Sequence, residues 1–413
     1  MNIIDNNFIV GIHINNNIKR HVSSSNNITY WLTIDVKYIN KENKLLIDKY
    51  KQNLNQKDMH TIIRCIEYKI NVTPILYHLN DNGINLLINK SFQYENIYII
   101  NLINNYIKIN VESVIKQISK FHKHYYNIQT IKYLHRKFKL QKKHFELHNN
   151  HVCKAVCKNG NIDIIKYFHK KVKLTKRNFQ SNNNYICNEA CKYGYVNIIK
   201  YLHEKVRLTK IDFQFNDNYA CVEACVNGHI DVVKYLHQII KLSKEDFQSE
   251  HNEVCFGSCY SGHIDVVKYL HQEIGLTKHN FHSENNYACA FACNNGYLNV
   301  VKYLHQEIGL TKKDFQFDYN LACKWACQNG HIGVVKYLHE EIGLTKEDFQ
   351  TDDNCACKWV CQNGHLDVVE YLHEEIELTK EDFQSNDNEA YKLACDNDHL
   401  SVIKYLDKIF EKN

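Results

Sequence analysis

The sequence predicts a mainly α-helical solenoid of about eight to nine stacked helix-turn-helix repeats, preceded by a small N-terminal α+β segment. Glycine recurs every 34 residues from Gly160 to Gly364, and phenylalanine keeps the same step from Phe145 to Phe383. Pro74 is the only proline, so almost nothing after it can break a helix. A lone pair of short helices cannot bury its apolar side, whereas stacked neighbours can, so this repetition favours a solenoid.

The first helix of one unit is predicted at 219–227, between two residues that commonly flank helices. Asn218 precedes it and is a good N-cap, because its side chain can accept a hydrogen bond from a free N–H of the first turn. Gly228 follows it, and glycine commonly ends a helix. Each unit therefore opens with a short helix.

The second helix of the same unit is predicted at 230–240. Its apolar residues are spaced three or four apart and form one stripe, which consists of Ile230, Val233, Leu236 and Ile240. Ser243 and Asp246 follow at the spacing of a capping box, with Asp in place of the usual Glu. The equivalent pairs are Thr311/Asp314, Thr345/Asp348 and Thr379/Asp382. We therefore expect a further short turn after the second helix.

These units resemble the ankyrin repeat. The match is carried by "ACVNGHIDVVKYL" at 224–236 and "ACQNGHIGVVKYL" at 326–338, and it extends from about residue 150 to the C-terminus, with a fainter copy at 127–135. The amino-acid sequences of the units also resemble the ankyrin arrays of giant DNA viruses of amoebae and of amoebae themselves. The family's T-P-L-H start is absent, so the resemblance implies the helix pair and not the β-hairpin finger between repeats. A 34-residue period also suits tetratricopeptide repeats, whose W-x2-L-G and late-proline signature is missing.

The resemblance sets the expected domain organisation. We expect an N-terminal mixed α/β segment of no recognised family at 1–110, ending in eroded repeats, and a degenerate repeat at 111–149. Ankyrin-type repeats then follow at 150–183, 184–217, 218–251, 252–285, 286–319, 320–353, 354–387 and 388–413. Within the first segment, alternating apolar residues predict strands at 8–14 and 28–38, and helices are predicted at 59–70 and 96–109.

Every unit except the last carries a Cys-x3-Cys pair. One hypothesis is a thiol-rich metal-binding or redox array, because Cys221, Cys225 and His229 would lie one turn apart on a single helical face. Structural zinc, however, takes four ligands from converging elements, and tyrosine replaces the histidine in other units, at Tyr195 and Tyr297. We interpret the cysteines as small apolar residues packed between helices, and we expect no metal and no cofactor.

The recurring histidines lie in the Gly-His pair and in a Tyr-Leu-His position that runs from His135 to His373. A catalytic residue is not usually copied along an array, and no Ser/His/Asp or Cys/His/Asn combination stands out. There is no glycine-rich phosphate loop either. The sequence therefore predicts a protein that is not an enzyme and has no catalytic residues.

The positions at which the units differ are the candidate partner-binding sites, because scaffold positions must repeat and contact positions need not. They are Phe291, Lys324, Trp325, Lys358, Trp359 and Leu393 on the first helices, and Asp318, Asp352 and Asp353 in the segment before them. In ankyrin arrays these regions line the concave face that binds partners, and tryptophan is typical of binding hot spots. The aromatic side chains would otherwise pack against the next repeat, and both interpretations stay open at this point.

Charge is distributed unevenly along the chain. Residues 1–150 carry a net charge of +11, residues 151–300 carry +4, and residues 301–413 carry −10. We therefore predict a protein-interaction scaffold whose acidic end favours a basic protein partner, from the host if the chain is viral, and disfavours nucleic acid. Nucleic-acid binding through the basic N-terminal part is a rival. The absence of a signal peptide and of a long apolar run predicts a monomeric cytoplasmic protein without a membrane partner.

Overall fold

The computed structural model describes residues 4–5, 8–9, 85, 88–89, 91–92, 97–120, 127–282 and 287–411. The chain forms two compact units, Met1–Asn178 and Phe179–Asn413. In the part described, no helix combines the length and the apolar character that crossing a bilayer requires.

The first unit contains a short antiparallel strand pair, Ile4–Asp5 with Phe8–Ile9. The strand predicted at 8–14 is therefore present over two residues, and it pairs with the residues just before it. The strand predicted at 28–38 and the helix predicted at 59–70 lie outside the described residues. The helices of this part of the chain are Ile97–Ile107, Val111–Lys120, Ile128–Lys137, Lys142–Phe145, Leu147–Lys158, Ile162–Tyr167 and Lys176–Phe179, with a π-helical turn at Phe168–Val172. Ile97–Ile107 confirms the helix predicted at 96–109, and its origin as an eroded repeat stays a prediction.

The second unit consists of helix pairs joined by one-turn connecting helices. The first helices are Ser181–Lys192, Lys210–Val226, Ser249–Tyr260, Tyr287–Asn294, Phe317–Gln328, Thr351–Asn363 and Ser385–Asp396. The second helices are Val196–Glu204, Ile230–Gln238, Ile264–Gln272, Leu298–Gln306, Ile332–Glu340, Leu366–Glu374 and Leu400–Glu411. The connecting helices are Lys244–Phe247, Lys278–Phe281, Lys312–Phe315, Lys346–Phe349 and Lys380–Phe383. This arrangement confirms the predicted fold class, a mainly α-helical solenoid of helix-turn-helix repeats.

The core of the second unit lies between stacked repeats. Each first helix packs on the next first helix, and each second helix packs on the next second helix. In the predicted stripe, Val233, Leu236 and Ile240 are buried, but so are Val232 and Tyr235. The buried face is wider than the predicted stripe because the second helix also contacts the first helix of its own repeat. Full burial of each such side chain contributes about 1.5–3 kcal/mol.

Asn218 does not cap the first helix, so that prediction was wrong. It has a φ of 64° and is the last of three consecutive residues in the left-handed region, 216–218. Its buried Oδ1 accepts no hydrogen bond. Asn and Asp enter this region more readily than other non-glycine residues, which explains the recurring asparagine. The same left-handed triplet occurs at 182–184, 318–320, 352–354 and 386–388.

Gly228 ends the first helix as predicted. A contact with the next repeat explains why glycine recurs at this position. Its φ is +73°, and a Cβ built on it would lie 2.4 Å from Nδ1 of His263. Any side chain here would both strain the backbone and collide with that ring. The glycine therefore serves contact between repeats as well as the turn.

The predicted capping boxes are confirmed in the connecting helices. In one of them, the backbone N–H of Thr345 donates to Oδ2 of Asp348 at 2.8 Å. Asp348 also accepts from Gln316 Nε2 at 2.7 Å and lies 3.2 Å from Lys312 Nζ, both in the preceding repeat. Burial alone would raise the pKa of Asp348, but these hydrogen bonds outweigh it and lower the pKa. Within 127–282 and 287–411 there is no strand, so these turns occupy the place of the β-hairpin finger.

Candidate interaction surface

The histidine of the Tyr-Leu-His position joins neighbouring repeats. His237 Nδ1 lies 3.0 Å from the hydroxyl of Tyr269, and the two rings meet edge to face. The other pairs of this kind are His135/Tyr167, His203/Tyr235, His271/Tyr303, His305/Tyr337, His339/Tyr371 and His373/Tyr405. A side chain committed to this contact in repeat after repeat is structural.

The histidine of the Gly-His pair is also structural. His229 donates from Nε2 to the carbonyl of Lys192, 2.8 Å away in the preceding repeat. His331 and His399 make the same contact with Asn294 and Gln362. Each of these hydrogen bonds joins the histidine to the preceding repeat.

Among the described cysteines all but the exposed Cys395 are buried in the core, where the surroundings disfavour the thiolate. Burial, together with the nearby Asp348 carboxylate, raises the pKa of Cys323 to about 12. The Cys323 thiol donates to the backbone carbonyls of Asn320 and Asp348. Metal binding and redox chemistry both require a thiolate. Among the described residues, no group of three or more His, Cys, Asp or Glu side chains is placed to hold a metal ion, so the metal-binding or redox hypothesis is not supported.

One surface position of the first helix changes character along the array. We call this series the first-helix column, and it consists of Glu189, Glu223, Gly257, Phe291, Trp325, Trp359 and Leu393. The four apolar members, which the sequence singled out, are half-buried. The rings of Phe291 and Trp325 contact each other at a centroid distance of 4.9 Å. Each of these two rings therefore packs on its neighbour and still shows part of its surface, so the packing interpretation applies to them and the partner-binding interpretation stays a prediction.

Phe291 is the centre of a larger aromatic cluster. Its ring centroid lies 5.1 Å from that of Tyr260, 5.6 Å from Phe256 and 5.9 Å from Tyr287. Tyr287 also meets Phe317, the first residue of the next first helix, at 6.1 Å. We define the aromatic cluster as Phe256, Tyr260, Tyr287, Phe291, Phe317 and Trp325. Ring pairs at these separations contribute about 0.5–1.5 kcal/mol each beyond area burial, so the cluster is well ordered.

Sequence reasoning missed Tyr260 and Tyr287. Tyr260 is exposed and stands where the neighbouring repeats have Val226 and Asn294. This difference between repeats was a usable signal. Tyr287 gave no such signal, because the equivalent residue two repeats earlier is also a tyrosine, Tyr219. Its role depends on the presence of Phe291 and Phe317, which only the structure shows to be adjacent.

The acidic candidates lie in the left-handed triplets. Asp318, Asp352 and Asp353 are all exposed. Asp318 follows Phe317 directly in the chain, and Asp352 pairs with Lys324, the residue before Trp325. The predicted acidic residues lie in neighbouring repeats. The hydroxyl of Thr351, which precedes the triplet 352–354, lies 3.2 Å from the carbonyl oxygen of Tyr319 in the triplet 318–320.

The two lysine candidates point into the array and do not present free charges. Lys324 is only 3% exposed, and its Nζ lies 3.2 Å from Oδ2 of Asp352. Lys358 is half-buried, with Nζ 3.3 Å from Glu389. The sequence suggested exposed contact residues at these positions. The structure instead places both ammonium groups in ion pairs, Lys324 with the left-handed triplet 352–354 and Lys358 with the following repeat.

The comparisons with known proteins agree with this geometry. The family model of ankyrin repeats matches three copies, at residues 152–246, 254–348 and 324–413, which together span more than half of the chain. No curated protein sequence matches the chain.

Proposed function

Because the chain belongs to the ankyrin-repeat family, we propose that it is a non-enzymatic scaffold that binds another protein through the concave face of the array, at the aromatic cluster and the adjoining first-helix column. The observation that carries the proposal is the run Phe291, Trp325 and Trp359. These large apolar side chains are partly exposed in three successive repeats whose scaffold positions are otherwise almost unchanged.

The charge of the flanking turns supports a basic partner. Residues 301–413 carry a net charge of −10, and the two first-helix lysines nearest the cluster are already paired within the chain. A partner with lysine or arginine around an apolar centre would match this surface, and the field would also speed encounter. The proposal includes a monomeric chain in the cytoplasm, with no nucleic-acid or membrane partner.

A paired pull-down from cell lysate, quantified by mass spectrometry, tests the proposal. One bait is the intact chain and the other carries Phe291→Ala, Trp325→Ala and Trp359→Ala. The matched control carries Tyr193→Ala and Ile211→Ala, which remove exposed apolar side chains away from the cluster. Circular dichroism establishes first that all three baits fold.

We expect at least one protein that the intact and control baits retain and the triple variant loses. Basic residues should be frequent in that protein's binding segment, and its retention should fall as salt is raised. Recovery of the same proteins by all three baits would contradict the proposal.

A further inference from the structure

Tyr319 has an unusual backbone conformation for an aromatic residue. It is the middle member of the left-handed triplet 318–320, with a φ of 53°. In the other described triplets this place is held by asparagine or aspartate, namely Asn183, Asp217, Asp353 and Asp387. Bulky residues are strained in this region, and strain that persists in a fold is found mainly at functional sites.

The side chain of Tyr319 is open to solvent and yet held in place. It is 73% exposed, the most exposed of the large aromatic residues that the structure describes. Lys324 Nζ lies 5.8 Å from its ring centroid, and Lys324 is itself fixed by Asp352. The Thr351 hydroxyl lies 3.2 Å from the Tyr319 carbonyl oxygen and 2.9 Å from that of Asp348, and its single proton is shared between these two acceptors. A large exposed ring that is ordered before binding loses little freedom when a partner covers it.

The surroundings of Tyr319 combine aromatic and acidic groups. Phe317, two residues earlier, joins the aromatic cluster through Tyr287. Asp318 and Asp353 are exposed carboxylates in the same triplet and in the next one. The nearest lysine, Lys324, is already neutralised by Asp352.

We infer that Tyr319 is a specificity-determining anchor that binds an arginine-bearing segment of the protein partner. A guanidinium group can stack on the ring while its N–H groups pair with the carboxylate of Asp318 or Asp353. Arginine fits better than lysine, because its planar group makes both contacts at once. This inference rests on the proposed function and names the chemistry of the partner at one edge of the same surface.

The test uses random twelve-residue peptides displayed on phage and selected on the full-length chain. The most enriched peptides are synthesised, and their Kd values are measured with the intact chain, Tyr319→Asn, Trp325→Ala and Tyr193→Asn. Tyr319→Asn introduces the residue that Asn183 supplies at the same place in another triplet, so we expect its Tm to rise by roughly 1–3 °C as strain is relieved. Tyr193→Asn is the matched control, because Tyr193 is an exposed tyrosine where Asn227 and Asn329 stand in other repeats.

We expect the enriched peptides to carry arginine, Tyr319→Asn to weaken their binding by about 10-fold or more, and Tyr193→Asn to change it by less than about 2-fold. Peptides that lose affinity with Trp325→Ala but bind Tyr319→Asn normally would overturn this inference and leave the proposed function standing. The absence of any enriched peptide, or binding that is indifferent to both changes, would overturn both. Enrichment of arginine-free peptides would also overturn the inference.

Discussion

Two stretches of the first-helix column have different kinds of side chain at equivalent positions, and these side chains make different contacts. In the repeat 218–251, Glu223 is buried and its carboxylate lies 3.1 Å from Lys192 Nζ of the preceding repeat. In the repeats 286–353, Phe291 and Trp325 stand at that position and contact each other through their rings. In the charged stretch the carboxylate pairs with a lysine of the same chain, whereas the aromatic stretch leaves apolar surface exposed. A constant scaffold can therefore carry a closed surface in one stretch and an open one in the next.

Gly257 separates the two stretches. A Cβ at this position would overlap Cγ2 of Val226, so any larger residue would require the Val226 side chain to move. Phe256 and Tyr260 supply rings on either side of this glycine, and both reach Phe291. The aromatic surface therefore begins in the glycine-bearing repeat, one repeat before the column itself becomes aromatic.

The largest expected effect is on the scaffold that both stretches share. Phe213→Ala and Phe315→Ala each remove a fully buried ring of the same phenylalanine column. Both should reduce the free energy of unfolding by about 3–5 kcal/mol, because a cavity replaces the ring. Urea unfolding followed by far-ultraviolet circular dichroism measures the change. A loss below about 1 kcal/mol in either stretch would mean that the column does not hold the repeats together there.

The next largest expected effect is on partner binding, which should differ between the two stretches. Trp325→Ala should weaken binding to the captured partner by about 2 kcal/mol, or roughly 30-fold, since tryptophan anchors dominate most interfaces. Glu223→Ala should change the Kd by less than about 3-fold, because its carboxylate is used within the chain. Isothermal titration calorimetry measures both values. Equal losses for the two variants would remove the distinction between an open and a closed stretch.

A smaller effect tests the closed stretch on its own. Glu223→Gln should lower the free energy of unfolding by about 1 kcal/mol, a modest value because Lys192 is more than a third exposed and screened by solvent. The double variant with Lys192→Met gives the coupling energy of the pair. We expect this coupling to weaken as salt is raised, and a coupling of zero at low salt would show that the pair does not close the surface.

The smallest effect concerns pH and is common to both stretches. Burial would raise the pKa of Asp348, but hydrogen bonds from Thr345 and Gln316 hold it below its ordinary value. Such a group stabilises the fold fully above its unfolded pKa of about 4, and this stabilisation is lost as pH falls through the lower folded pKa. Asp348→Asn should therefore reduce the loss of stability below about pH 4, while changing it by less than about 1 kcal/mol at pH 7. Asn280, which makes the same capping box, shows that the amide fits. A steeper acid transition in the variant would contradict the assignment.

Much of the repeat could be predicted from the sequence, because its signals are local. The capping-box spacing of Thr345 and Asp348 and the helix-ending role of Gly228 depend on a few neighbouring residues, and both are confirmed. Asn218 was misread because asparagine is favoured both at an N-cap and in the left-handed region, and the sequence does not separate the two.

The candidate surface was less predictable, because it depends on distances between repeats. The sequence identified Phe291 and Trp325 as variable, but a 34-residue offset does not show whether two rings touch. Lysine is usually a surface residue, and Lys324 is buried where it meets Asp352, 28 residues later in the chain. Periodicity fixes which residues are equivalent, and the geometry of stacking decides which equivalent residues meet.

Acrylamide quenching of tryptophan fluorescence tests the central claim most directly, in the presence and absence of the captured partner. Trp31→Phe leaves Trp325 and Trp359 as the only tryptophans. Both are partly exposed in the free chain and should be quenched by acrylamide. The account predicts that saturating partner protects them, and that the matched control Tyr193→Asn shows the same protection. A complex that forms at full occupancy and leaves the quenching of both tryptophans unchanged would contradict it.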